Sequence, residues 1–204
     1  MSLAIIDSGG ANISSVRHAL DRLGVESVFT ADAGTIRSAE RVILPGVGAA
    51  GTAMTRLREL GLVECIRQLQ QPVLGICLGM QLLFDRSDED HRGETGVECL
   101  GIIPGTLKKL VPAEGVRIPH MGWNTTRIER EDPLMKGLPE KPWFYFVHSY
   151  FAPVGDHTLA SCLHGEKFTA VVRKDNFFGA QFHPERSARH GARLLANFLE
   201  SPCN

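Results

Sequence analysis

The chain has 204 residues with 22 Lys and Arg against 23 Asp and Glu, a formal net charge of −1, and 43% hydrophobic residues. Such a chain suits one domain with a sizeable core; it offers no basic face for nucleic acid and no charge pattern for a membrane surface. The start MSLAIIDSGG has no basic leader and no run approaches 18 apolar residues, so a cytoplasmic protein is expected.

In chain order, LAIID (3–7) reads as a strand, NISSVRHALDRLG (12–24) as a helix opened by Asn12 and closed by Gly24, and VESVFT (25–30) as a second strand, together a βαβ unit. RVILP (41–45) gives another strand. TAMTRLRELGLVECIRQL (52–69) is a long helix interrupted near Gly61, and PVLGI (72–76) a strand that delivers Cys77, after which MQLLF continues at helical spacing. Apolar strands alternating with helices imply an open, mostly parallel sheet with helices on both faces. The second half changes style. WFYFVHSY (143–150), HTLASCL (157–163), FTAVVR (168–173) and FFGAQFH (177–183) read as short, partly antiparallel strands, and SARHGARLLANFLE (187–200) as a last helix with Leu194, Leu195, Phe198 and Leu199 on one stripe. No repeat, low-complexity tract or linker divides residues 1–204, and a single α/β domain is expected. The cysteines Cys65, Cys77, Cys99, Cys162 and Cys203 are odd in number and form no C-x-x-C pair, which speaks against a disulfide framework or a structural zinc site.

The chemistry concentrates at two stretches. Gly75-Ile76-Cys77-Leu78-Gly79 is the cysteine version of the G-x-S-x-G nucleophile elbow, whose sharp strand-to-helix turn leaves no room for a Cβ on either side of the nucleophile. A thiol at a helix N-terminus also meets the positive end of the helix dipole and unpaired N–H groups that can stabilise a thiolate or an oxyanion. The competing reading is a buried apolar filler, the usual fate of a free cysteine. The second stretch is AQFHPE, where Pro184 stops a strand and holds His183 in one extended conformation. Residues two apart in an extended segment point the same way, so Glu185 is placed to orient the imidazole of His183 and stabilise the imidazolium. An isolated H-x-E is more often a surface histidine beside an unrelated glutamate; the elbow cysteine turns the balance toward a Cys77–His183–Glu185 triad.

GICLGMQ with a downstream HPE resembles the class I, triad-type glutamine amidotransferases over nearly the whole chain. IIDSGGANISSV, LPGVGA (44–49), HMGWN (120–124), YFVHSY (145–150) and QFHPERS (181–187) narrow the resemblance to the glutaminase subunits of imidazole glycerol phosphate synthases. One departure is Ser8, which follows Asp7 where the family pattern has an aromatic. The resemblance implies a flavodoxin-like fold, no metal or organic cofactor, and glutamine as substrate. It also implies a heterodimer with a (β/α)8-barrel subunit, which uses the ammonia to form imidazole glycerol phosphate and an aminoimidazole carboxamide ribotide for histidine biosynthesis. Residue by residue, it gives Gln81 and Glu89, the latter near the end of the helix after Cys77, to the substrate's amino-acid moiety, with Ser149 and Tyr150 in a loop that contacts the substrate. Leu78 supplies an oxyanion-hole N–H, with a second from Gly46-Val47-Gly48, a segment whose peptide can flip between inactive and active states. Candidates for the docking surface are the HMGWN loop with Trp123, Tyr145, Arg186 and the loop containing Asn12.

Competing functions share parts of this pattern. Gly46-Val47-Gly48-Ala49-Ala50-Gly51 is formally G-x-G-x-x-G and suggests a dinucleotide-binding enzyme, but Pro45 precedes it and the next strand ends in cysteine where a ribose-binding acid is expected. Glutaminase subunits that serve pyridoxal phosphate synthesis or surface-sugar amidation share the triad, and a non-catalytic subunit would be expected to lack it.

Overall fold

The computed structural model describes residues 2–9, 13–89, 93 and 96–201. In chain order the elements are β1 (Leu3–Ile6), α1 (Ile13–Arg22), β2 (Val28–Thr30), α2 (Ala33–Ser38), β3 (Arg41–Leu44), α3 (Ala50–Glu59), α4 (Leu62–Arg67), β4 (Val73–Ile76), α5 (Leu78–Leu82), β5 (Phe84–Ser87) and β6 (Val97–Glu98). They continue with β7 (Ile103–Lys109), β8 (His120–Ile128), a 3-10 turn Pro133–Met135, β9 (Trp143–His148), β10 (Tyr150–Phe151), β11 (Thr158–His164), β12 (Glu166–Lys174), β13 (Phe177–Ala180), a 3-10 turn Pro184–Arg186 and α6 (Ala188–Glu200).

Nine strands form one sheet in the order β2-β1-β3-β4-β13-β12-β11-β8-β9. The first five are parallel, in the flavodoxin-like order, and the rest join antiparallel. The apolar runs of β1, β3 and β4 are buried on both faces, as a parallel sheet between helices requires. Ala4, Ile6, Val42 and Leu44 face Met54, Leu57 and Leu62, whereas Leu3, Ile5, Ile43 and Ile76 face Val16, Leu20, Phe182 and Phe198. Leu194, Leu195 and Phe198 are the buried part of the α6 stripe, each contributing about 1.5–3 kcal/mol on burial. A second sheet has the order β10-β7-β5-β6 and connects to the first through the junctions of α5 with β5 and of β9 with β10.

Several elements differ from the sequence reading. The long helix divides into α3 and α4 at Gly61. The segment 143–150 divides at Ser149, with β9 in the large sheet and β10 in the small one. Strand β13 ends at Ala180, before His183. HMGWN is the start of strand β8 rather than a loop. Helix α5 stops at Leu82 because the chain turns straight into β5, which leaves Glu89 beyond that strand instead of near the helix end. Asn12 lies outside the described residues. Among those residues no helix is long and apolar enough to cross a membrane.

Candidate active site

Strand β4 runs between β3 and β13 and delivers Cys77 at its C-terminal end, where the Cys77 N–H donates to Ala180 O at 2.8 Å. The elbow is strained: Cys77 has φ +53° and ψ −109°, a conformation that L-residues seldom adopt and that the surroundings must hold. Both glycines of the motif are required by close approach. A Cβ on Gly75 would stand 2.7 Å from the Gly79 carbonyl and the Met80 nitrogen, and one on Gly79 would collide with the Leu44 carbonyl oxygen. Cys77 is left 6% exposed at the N-cap of α5.

His183 is fixed by its own backbone and by the turn after it. Its N–H donates to Tyr145 O at 2.9 Å, and its carbonyl accepts from Ser187 Oγ at 2.6 Å and Arg186 N at 3.0 Å. The 3-10 turn Pro184–Arg186, not an extended strand, then swings Glu185 back so that its Oε1 accepts from His183 Nδ1 at 2.8 Å. With Nδ1 engaged, Nε2 is the working nitrogen; it is buried and has no hydrogen-bond partner among the described residues. The Cys77 thiol shares its cleft and is near enough to act on the ring. Burial disfavours the imidazolium; Cys77 and Glu185 outweigh it and push His183 up to about 10. Burial pushes the Cys99 and Cys162 thiols up to about 12 and raises that of Cys65, which leaves them inert at neutral pH.

A cleft of about 320 Å³ opens on this pair, and its walls hold Val47, Gly48, Leu78, Gln81, Glu89, Ser149 and Tyr150. Residues proposed from five separate stretches of sequence therefore line one space. The Leu78 N–H, first of α5, enters no backbone hydrogen bond among the described residues, and the same holds for Val47 and Gly48. Gly46 packs against α5 so tightly that a Cβ would meet the Leu78 Cβ at 2.8 Å, and Gly48 has φ +95°, which its glycine permits. Glu89 accepts from Ala50 N at 2.6 Å and so caps α3 from across the cleft. A carboxylate at this helix N-terminus occupies the place where a pyrophosphate would sit, which removes the dinucleotide reading of Gly46–Gly51. Gln81 is less available than its position suggests, because its Nε2 donates to Tyr150 O at 2.8 Å and Gln181 Oε1 at 3.0 Å. The Ser149 carbonyl is taken by Leu110 N at 2.8 Å.

The cleft also contains Pro119, Val147 and His148, to which sequence reasoning assigned no role. The signal for His148 was present in FVHSY, one residue before Ser149. Arg186 stacks 4.9 Å from the Tyr145 ring centroid and Tyr145 meets Trp123 edge-on at 6.2 Å, so three of the four docking candidates form one continuous patch. Among the described residues no group of three or more His, Cys, Asp or Glu side chains is placed to hold a metal ion.

The family profile described as glutamine amidotransferase class-I matches residues 4–201. The chain is 58% identical over 198 residues to proteins of Xanthomonas axonopodis pv. citri and Xanthomonas campestris pv. campestris, and 53% identical to one of Xylella fastidiosa. Each alignment covers 97% of this chain and 96% of the relative, and each relative bears the name imidazole glycerol phosphate synthase subunit HisH. Among solved structures, a glutamine amidotransferase crystal structure superposes with a TM-score of 0.73 at 20% identity, covering 97% of both chains. PurLQS from Thermotoga maritima gives the same score and identity, covering 98% of this chain and 97% of that one. At that identity the likeness is one of fold.

Proposed function

The chain belongs to the class-I glutamine amidotransferases, and on that premise we propose that it is the glutaminase subunit of an imidazole glycerol phosphate synthase, releasing ammonia from glutamine for histidine biosynthesis. The observation that carries the chemistry is the meeting of an elbow cysteine, Cys77, with a His183 oriented by Glu185 in one cleft. The observation that carries the pathway is 58% identity over 97% of the chain to subunits of that synthase.

Cys77, as thiolate, attacks the carboxamide carbon of glutamine, and the oxyanion that forms is held by the N–H of Leu78 and one from Gly46-Val47-Gly48. His183 carries the proton on Nε2 and gives it to the departing nitrogen as the C–N bond breaks, which leaves a γ-glutamyl thioester and ammonia. Water then adds to the thioester with His183 taking its proton; the C–S bond breaks, glutamate leaves and Cys77 is restored. Glu185 keeps the imidazole in the Nδ1–H tautomer throughout. Glu89 faces the substrate ammonium with the carboxylate that also caps α3, while Gln81, Ser149 and Tyr150 form the opposite wall.

The partner is a (β/α)8-barrel synthase subunit that consumes the ammonia, docked over Trp123, Tyr145 and Arg186 and the loop containing Asn12; the site of action is the cytoplasm. An electrophilic glutamine analogue bearing a diazo-ketone tests the assignment in the complex. Peptide mapping should find the label on Cys77 alone; equal labelling of Cys65, Cys99, Cys162 or Cys203, or full glutaminase activity in Cys77→Ala, would overturn it.

A further inference from the structure

Strand β8 carries its polarity the wrong way round. Met121 and Trp123 are 64% and 50% exposed, whereas on the opposite face His120 is buried and Asn124 half-buried, with Gly122 between them. What they meet inside is a second buried histidine, His148 of β9, directly opposite His120 in the strand register. His120 Nδ1 and His148 Nε2 are 3.0 Å apart, Asn124 Nδ2 lies 3.2 Å from His120 Nε2, and His148 Nδ1 lies 2.9 Å from the Tyr150 carbonyl oxygen.

The direction of this chain is forced from both ends. A carbonyl only accepts, so His148 must carry its proton on Nδ1 and accept at Nε2; His120 must then donate from Nδ1 and accept at its own Nε2. At the other end, Asn124 Oδ1 accepts from Thr125 N at 2.8 Å, and Nδ2 also donates to Leu163 O at 3.1 Å, so Asn124 is the donor that His120 Nε2 needs. Two independent anchors thus demand the same pair of tautomers, with every link satisfied. Burial, together with His148 and His164, pushes His120 down to about 3. Burial, with His164 and His183 adding and the Tyr150 carbonyl opposing, holds His148 at about 4, so both rings are neutral at the pH where the chain works. His120 is further clamped by stacking on His164 at 4.0 Å and on Phe146 at 4.7 Å.

The chain continues to the nucleophile. Tyr150 O, which receives His148, also receives Gln81 Nε2; Gln81 Nε2 reaches Gln181 Oε1, and Gln181 Nε2 points to Cys77 Sγ at 3.9 Å. We propose that His120 and Asn124 are positioning residues for glutamine binding, acting through His148 to fix the Ser149–Tyr150 wall of the cleft. This rests on the glutaminase reading and deepens it: HMGWN supplies the rear support of the substrate site as well as the outward-facing Trp123.

The test uses the complex with the synthase subunit and compares glutamine with ammonium salt as nitrogen source. His120→Phe keeps the ring and its stacking but leaves His148 Nε2 without a donor. Its KM for glutamine should rise about tenfold with kcat changed by less than about threefold, the size expected for one buried hydrogen bond lost from a binding wall. The ammonium-dependent rate should stay at the wild-type value. In His120→Asn an amide nitrogen stands near the Nδ1 position, and KM should return most of the way. Nitrogen-detected NMR near neutral pH should find both His120 and His148 as Nδ1–H tautomers. An unchanged KM in His120→Phe, a His120→Asn as impaired as His120→Phe, or an Nε2–H tautomer at His148 overturns the proposal. Should His120→Phe not fold, Asn124→Leu carries the same test, with KM expected to rise at least about threefold and an unchanged value overturning it. A wild-type complex without glutaminase activity would instead overturn the functional reading.

Discussion

Gly79→Ala is the smallest change that probes the elbow. The added methyl group would be 2.8 Å from the Leu44 carbonyl carbon, 0.6 Å short of the 3.4 Å at which ordinary contact begins, and nearer still to the oxygen. Neither can rotate away, because Leu44 is the last residue of β3 and is paired with β4 at Gly75. Either α5 or the end of β3 must retreat, and both carry the site: α5 holds the Leu78 N–H, and β3 leads into Gly46-Val47-Gly48. Overpacking of this kind costs about 1–3 kcal/mol, and a shift of about 1 Å at the reacting geometry costs about 10²-fold in rate. We expect urea denaturation to give about 3 kcal/mol less stability for Gly79→Ala, and glutamate release in the complex to fall about 10²-fold. Gly155→Ala is the control, since nothing lies within 4 Å of its Cβ and such surface changes stay within about 0.5 kcal/mol. If Gly79→Ala matched Gly155→Ala in stability and turnover, the steric account of the elbow would be wrong.

Glu185→Gln should lower kcat about 10³-fold. It should also move the pH–rate limb governed by His183 to lower pH, because Glu185 is one of the groups that hold that pKa up; an unmoved limb would remove Glu185 from the site. His120 and His148 titrate at about 3 and 4 in the fold, against about 6.5 when unfolded. Below pH 6.5 the unfolded chain therefore binds protons that the folded chain refuses, and stability falls as pH drops toward 4, by up to about 1.4 kcal/mol per pH unit for each ring. His164 and His183 face the same cluster, so the readout is the difference between wild type and variant: His120→Phe should show a shallower acid limb in urea denaturation, and an equally steep one would contradict the assignment. Arg186→Ala should weaken binding to the synthase subunit by calorimetry, and Arg186→Glu should weaken it more; wild-type affinity in both would return Arg186 to the solvated surface.

Much of the site was legible because its constraints are local. The two glycines beside Cys77 reflect a clash within a few residues, and Pro184 after His183 reflects a stop in the chain; both are written in adjacent letters. Strands β1, β3 and β4 of the parallel half were legible because strands buried on both faces read as unbroken apolar runs. Strand β8 was not, because its outward face bears Met121 and Trp123 while its inward face bears His120 and Asn124, the inverse of the alternation that marks a half-buried strand. The apparent extension of one strand through Ser149 concealed a switch of sheets with no glycine or proline to announce it. Glu89 lines the cleft, but its cap on α3 depends on a contact 39 residues distant in sequence, which no local pattern encodes.

If glutamine is opened at Cys77 while the nitrogen is used on the partner, the two nitrogen sources must separate in one variant. The most direct measurement is the synthase rate of the Cys77→Ala complex with glutamine and, separately, with ammonium salt at alkaline pH. The glutamine-dependent rate should be lost and the ammonium-dependent one retained. Loss of both, or retention of both, would contradict this division.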